Sequence, residues 1–180
     1  SRLSESILET TLKEVRVPCV TDADGLNILS CHPELLITTE RPLILTPHMK
    51  EMSGLLGCSV AELQEGRFEK VKSFTEKYGV VCVLKDARTV VAKRQKHNFV
   101  NTAGNSSMAK AGSGDVLAGV ISGLLAQHME PYEAAVLGVY LHACGGDEAK
   151  AVKGSYSVLA EDLIAGIASC TKKTEESMGK

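Results

Sequence analysis

The sequence predicts a layered α/β domain with a binding site along one edge of its sheet, and three observations carry that expectation. Segments with helical periodicity alternate with short apolar runs, notably Leu43-Ile44-Leu45 and Val80-Val81-Cys82-Val83-Leu84, of the kind that buried strands show. Polar clusters follow those runs at Asp22 to Gly25, Pro47 to Glu51 and Lys85 to Arg88, and strand carboxyl ends are where open α/β sheets bind ligands. Finally, a long stretch of small residues, Asn101 to Asp115, runs straight into Val116, Leu117, Val120, Ile121, Leu124 and Leu125, which have the spacing of one helix face.

The first helix, capped by Ser4 or Ser6, places Leu8, Leu12 and Val15 on one side and ends at Arg16-Val17-Pro18. Cys19-Val20-Thr21 is a short strand opening into Asp22-Ala23-Asp24-Gly25, which serves as a turn and cap for the helix of Leu26, Ile28 and Leu29, or as a strand-end site. The second strand stops at Pro47, and a short helix follows from His48 to Gly57. His48 and Glu51 share its face, as a surface pair or as groups that orient a substrate or a hydrated magnesium ion. Ser59 and Glu62 form a capping box opening one helix with Leu63, Val71, Phe74 and Tyr78, closed by Gly79.

After the third strand, Thr89 to Ala92 and Phe99-Val100 read as a hairpin. Lys85 and Arg88 follow a strand end, where solvated side chains and phosphate contacts are both reasonable. Pro131 starts a late helix that Gly145-Gly146-Asp147 is expected to interrupt or bend, with His142 as a hydrogen-bonded core histidine. Ser157 caps the last helix, Val158 to Ala168, and the tail from Thr171 is expected to fray.

Composition narrows the class. A chain of 180 residues with 44% apolar and 23% charged residues is an ordinary globular domain, and its formal charge of −2 disfavours nucleic acid and anionic membrane as partners. No apolar run reaches bilayer length, and the N-terminus lacks a signal-peptide core, so a cytoplasmic location is expected. The six cysteines include no C-x-x-C pair and read as free thiols. Ser1-Arg2-Leu3-Ser4 reads as a cut point rather than a designed start. Small-residue helix faces suit close packing, either within one subunit or between copies, and a homo-oligomer is expected.

The glycine-rich stretch carries the chemistry. Glycines let a backbone approach an anion, and the free N–H groups and positive dipole end of a helix beginning at or near Asp115 point at it. A carboxylate there repels the anion unless it is only a cap or is the general base beside a transferring phosphoryl group. The phosphate-binding G-x-x-x-x-G-K-[ST] pattern is absent, and Leu117 takes the last glycine position of the dinucleotide fingerprint.

Asn101-Thr102-Ala103-Gly104-Asn105 followed by Met108 to Gly119, together with Thr46 to Met52, Asp22 to Asn27 and Leu84 to Thr89, resembles the ADP/ATP-dependent NAD(P)H-hydrate dehydratase family. The resemblance implies a three-layer α/β/α ribokinase-like (Rossmann-like) domain, of which residues 1–180 are the C-terminal portion. It also implies a repair reaction: hydrated NADH or NADPH is phosphorylated on its ring hydroxyl by ADP or ATP, and loss of phosphate restores the dihydronicotinamide. By similarity Asp115 is the base, and the amides around Gly112, Ser113 and Gly114 hold the phosphoryl oxygens. His48, Met49, Lys50, Glu51, Met52, Ser53 and Gly54 would contact the hydrated cofactor. Lys85, Asp86, Ala87, Arg88 and Thr89, with Asn105, Ser106, Ser107, Met108, Ala109, Lys110 and Ala111 through Gly114, would contact the nucleotide.

Mg2+ is implied through phosphate and water, with Glu51 near it, while the residues alone give no metal ligand set. The family commonly has glycine where Asp86, Ser107 and Ala111 stand, and alanine at a position needing positive φ would be disfavoured by roughly 1–2 kcal/mol. The family domain also begins earlier, so either the protein is shortened or a separate N-terminal fragment packs beside this chain, and weak catalysis by this chain alone is expected. A vitamin-precursor or small-alcohol kinase of the same fold, or a nucleotide-binding subunit without chemistry, would use the same loop.

Overall fold

The computed structural model describes residues 1–179. Among them one sheet holds five strands in the order β1 (Cys19–Thr21), β2 (Leu43–Leu45), β3 (Val81–Leu84), β4 (Val90–Lys93) and β5 (Phe99–Val100). The first three are parallel, with Val20 opposite Ile44 and Leu45 opposite Cys82, and β4 and β5 return antiparallel as the predicted hairpin. Helices α1 (Arg2–Glu14), α2 (Asp24–Cys31), α3 (Met49–Leu56), α4 (Val60–Glu65) and α5 (Arg67–Tyr78) precede β3, while α6 (Ser113–Ala126), α7 (Pro131–Lys153) and α8 (Ala160–Ser177) follow β5.

The alternation of side chains along each strand creates the three layers. Leu43 and Leu45, Cys82 and Leu84, and Val90 and Ala92 face a core built with Leu12, Leu26, Leu29, Met52, Leu63, Val71 and Phe74. Ile44, Val81, Val83 and Val91 face the other way, onto Leu117, Ile121, Leu125, Ala134, Ala135 and Val139 of α6 and α7. Burial on both faces explains why these strands read as continuous apolar runs, each large side chain contributing about 1.5–3 kcal/mol. α8 packs on α7 rather than on the sheet, around Ala149, Val158 and Leu163.

Several helix boundaries depart from the sequence reading. Ser1, not Ser4 or Ser6, caps α1 by accepting the Ser4 N–H. The single helix expected from Ser59 to Gly79 is two, because the chain turns at Gly66 between α4 and α5. α7 runs unbroken through Gly145-Gly146-Asp147: a Cβ on Gly145 would stand 2.7 Å from the Leu163 carbonyl, and one on Gly146 would stand 2.3 Å from Met108 Sδ. Those glycines admit neighbours and do not end the helix. α8 starts at Ala160, where the Asp162 carboxylate accepts the Leu159 N–H, and it continues to Ser177. The six cysteines are free, and no helix of the described residues is long and apolar enough to cross a membrane.

Candidate active site

Three strand ends form the floor of the site. The Thr46 N–H donates to the Thr21 carbonyl at 3.2 Å, and the Lys85 N–H donates to the Pro47 carbonyl at 2.7 Å, extending parallel pairing to a bridge between His48 and Lys85. Asp22, His48 and Lys85 therefore stand side by side, so the expected substrate segment and the first expected nucleotide segment meet. Lys85 Nζ lies 2.7 Å and 3.0 Å from the two Asp22 carboxylate oxygens. A Cβ on Gly114 would be 3.3 Å from Asp22 Oδ2 and 3.4 Å from Lys85 Nζ, so this ion pair sits against the first turn of α6. Asp22 Oδ1 also accepts the Ala23 N–H, and Ala23 adopts φ 49° and ψ −119°, a strained backbone for alanine.

The mouth of α6 faces this pair. Gly112 is its N-cap at φ 83°, the left-handed region that favours glycine, and no side chain caps the helix. Among the described residues, the N–H groups of Ala111, Gly112, Gly114 and Asp115 donate no hydrogen bond. The Asp115 carboxylate is exposed in the first helical turn and has no hydrogen-bond partner among them either, so capping does not account for it. Open amides at a helix N-terminus with a lysine nearby suit a phosphate group.

Helix α7 holds the loop that leads there. The Asp147 carboxylate accepts the Gly104 N–H at 3.0 Å and Asn105 Nδ2 at 2.7 Å, while the Gly146 carbonyl accepts Asn105 Nδ2 at 3.1 Å. Asn105 Oδ1 in turn accepts the Ser107 N–H and hydroxyl, folding Ser106 to Met108 into a single tight turn. Farther along, His142 Nε2 lies 3.2 Å from Ser113 Oγ, and burial pushes its imidazole down to about 4, a shift that the Ser113 backbone opposes and the Lys85 charge reinforces. On the other side, Arg88 donates to the Thr102 carbonyl and the Asn101 N–H to the Thr89 carbonyl, so residues 85–89 and 101–105 are tied together.

Not every expected residue points to this edge. Met52 is fully buried in the core against Cys82, and the Ser53 hydroxyl donates to the Lys50 carbonyl within its own helix. His48 and Glu51 form a reciprocal capping box at α3, which accounts for their spacing, with Glu51 side-chain exposure only 11%. Asp86 pairs with Arg67 at 2.6 Å, and Lys110 Nζ donates to the Tyr156 carbonyl. Asp86, Ser107 and Ala111 all avoid positive φ, so the strain considered for non-glycine residues there does not arise. Asp147 was hidden within what read as a helix break, and the Gly-Gly pair before it was the available signal of close packing. Asp22 read equally well as a cap, because nothing local marks its pairing with Lys85.

Comparison with known proteins adds an independent finding. The sequence profile of the NAD(P)H-hydrate dehydratase family matches residues 3–169. A bifunctional NAD(P)H-hydrate repair enzyme of Moorella thermoacetica is 41% identical over 172 residues, covering 96% of this chain and 32% of that protein. An ADP-dependent (S)-NAD(P)H-hydrate dehydratase of Neisseria meningitidis is 43% identical, covering 83% of this chain and 50% of that protein. The structure of the ADP/ATP-dependent NAD(P)H-hydrate dehydratase from Bacillus subtilis, co-crystallised with ATP/Mg2+ and soaked with CoA, superposes with a TM-score of 0.83 at 30% identity, covering 96% of this chain and 62% of that one. Ribokinase from Thermotoga maritima shares the fold at a TM-score of 0.55 and 19% identity. The chain thus spans from 32% to 62% of the length of these dehydratase relatives.

Proposed function

Because the chain belongs to the NAD(P)H-hydrate dehydratase family, we propose that it serves the nucleotide-dependent dehydration of hydrated NADH or NADPH, in which ADP or ATP phosphorylates the ring hydroxyl and phosphate is then eliminated. The observation that supports this most is the mouth of α6, where four unspent amides surround an unengaged carboxylate beside the Lys85–Asp22 pair. In this reading the Asp115 carboxylate takes the proton of the attacking hydroxyl, and the amides of Ala111, Gly112, Gly114 and Asp115 stabilise charge on the phosphoryl oxygens as it shifts. Lys85 lies close enough to Gly114 to share that charge, while Gly104 to Ala109, held by α7, and Arg88 flank the nucleotide. His48 to Gly54 border the hydrated cofactor through the His48 end of α3.

Among the described residues no three His, Cys, Asp or Glu side chains converge as a metal cage, which suits an ion that arrives on nucleotide phosphates and keeps its water. When bound, magnesium would neutralise phosphate charge there, with Glu51 the acidic side chain within the substrate segment.

The test is incubation with hydrated NADPH and ADP or ATP while absorbance in the dihydronicotinamide band is followed. Asp115→Asn is expected to lower turnover roughly 10²–10⁴-fold while nucleotide binding survives. An unchanged rate would remove Asp115 from the chemistry, and phosphate retained on the product would favour a kinase. We further propose that the 180 residues bind nucleotide on their own but turn over slowly without the rest of the family domain, in keeping with their partial span of the relatives. Full turnover by the isolated chain would overturn that. A cytoplasmic location and self-association remain part of the same proposal.

A further inference from the structure

One buried ionisable side chain beside the site has no role in the chemistry above. His142 is only 9% exposed, projects from the middle of α7, and meets Ser113, the first residue of α6, across 29 positions of sequence. Ser113 is itself buried, and its hydroxyl and the His142 ring nitrogen are each other's partners at 3.2 Å. Ser113 stands directly before Gly114, where an added Cβ would meet Asp22 and Lys85, and before Asp115. No side chain caps α6, so the Ser113 hydroxyl is the one polar side-chain tether of its first turn among the described residues.

Resting on the phosphoryl-transfer reading of this helix mouth, we propose that His142 is a positioning residue that holds the Ser113 hydroxyl and thereby fixes the Gly114 and Asp115 amides and the Asp115 carboxylate for the phosphate. The physical reason is that a helix terminus without a cap frays easily, and misplacing amides by a fraction of an ångström weakens an anion site. Neutrality is part of the role. Lys85, paired with Asp22, is the charged group acting on the ring, and a second positive charge beside it would repel that cation. Burial keeps the ring neutral at physiological pH. Asp147, five residues on along the same helix, anchors the far end of the loop at Gly104, so both ends of the phosphate loop are referred to one rigid element.

Two measurements on the full chain test this. In nitrogen-15 imidazole spectra, the signal lost in His142→Gln is expected to remain neutral down to about pH 5 and to shift in Ser113→Ala. A ring that titrates at the ordinary histidine value, or ignores Ser113→Ala, overturns the inference. Calorimetric titration with magnesium ADP is expected to show roughly three- to tenfold weaker binding for both Ser113→Ala and His142→Phe. The double variant should be no weaker than the poorer single one, and His142→Gln, which can still bond the hydroxyl, should recover most of the loss. If His142→Phe does not fold, Ser113→Ala and His142→Gln probe the same contact. Wild-type affinity in Ser113→Ala, or additive losses, would overturn the inference alone, whereas a wild-type chain that binds no nucleotide would overturn the site reading along with it.

Discussion

Ala23 bears a cost so that Asp22 can face Lys85. Its φ of 49° with ψ of −119° lies outside the regions open to an ordinary side chain, and the next glycine, Gly25, is where a Cβ would collide with Thr21 at 2.6 Å. Strain of about 1–3 kcal/mol at such a residue exceeds the roughly 0.4–1 kcal/mol of extra chain entropy that a glycine loses on folding. Ala23→Gly is therefore expected to stabilise the chain by about 1 kcal/mol in urea unfolding. A loss of stability would mean that alanine is relaxed there and that the turn is held for another reason.

Two kinds of helical glycine separate at the scale of the element. Gly166 of α8 lies against the backbone of Gly145 of α7, where an added Cβ would be 2.1 Å from the Gly145 carbonyl oxygen, whereas Gly123 on the exposed face of α6 has nothing within 4 Å. Backbone cannot yield as a side chain does, so Gly166→Ala should push the helices apart and cost about 1–3 kcal/mol or more. Gly123→Ala should instead gain about 1 kcal/mol from helix propensity. Thermal melts of the two variants give opposite signs if close packing is the reason α7 stays unbroken. Because α7 also carries Asp147 and His142, the Gly166 substitution should disturb the glycine-rich loop from a distance, and Asp147→Ala should do so directly by releasing Gly104 and Asn105.

For the molecule as a whole, burial of His142 links stability to pH. Its folded value of about 4 lies below the ordinary 6.5, so the unfolded chain takes up a proton first as the pH falls. The stability this group gives above pH 6.5 is lost progressively down to about 4. The melting temperature should therefore drop over that window, and His142→Gln should flatten the drop. An equally steep fall in the variant would assign the effect to other groups. The same three-layer frame sets the site: parallel β1, β2 and β3 deliver Asp22, His48 and Lys85 to one edge, and the α6 mouth closes on them from the opposite layer.

Much that depends on near neighbours was legible in the chain, although the α1 cap at Ser1 and the turn at Gly66 were not. The apolar runs of β2 and β3, the capping box at Ser59, the closing glycines at Gly57 and Gly79, and the small-residue loop ahead of α6 all depend on neighbours within a few residues. Helix limits failed where distant packing overrides local preference, as at Gly145 and at the α8 tail, where Lys173 reaches Glu148. The site's supporting contacts lay beyond sequence reasoning for the same reason. Lys85 meets Asp22 across 63 positions, Asp147 meets Gly104 across 43, and His142 meets Ser113 across 29. Residue types and short spacings determined which groups could bind a phosphate, but only the crossing of strands and helices decided which charges and hydroxyls would hold them in place.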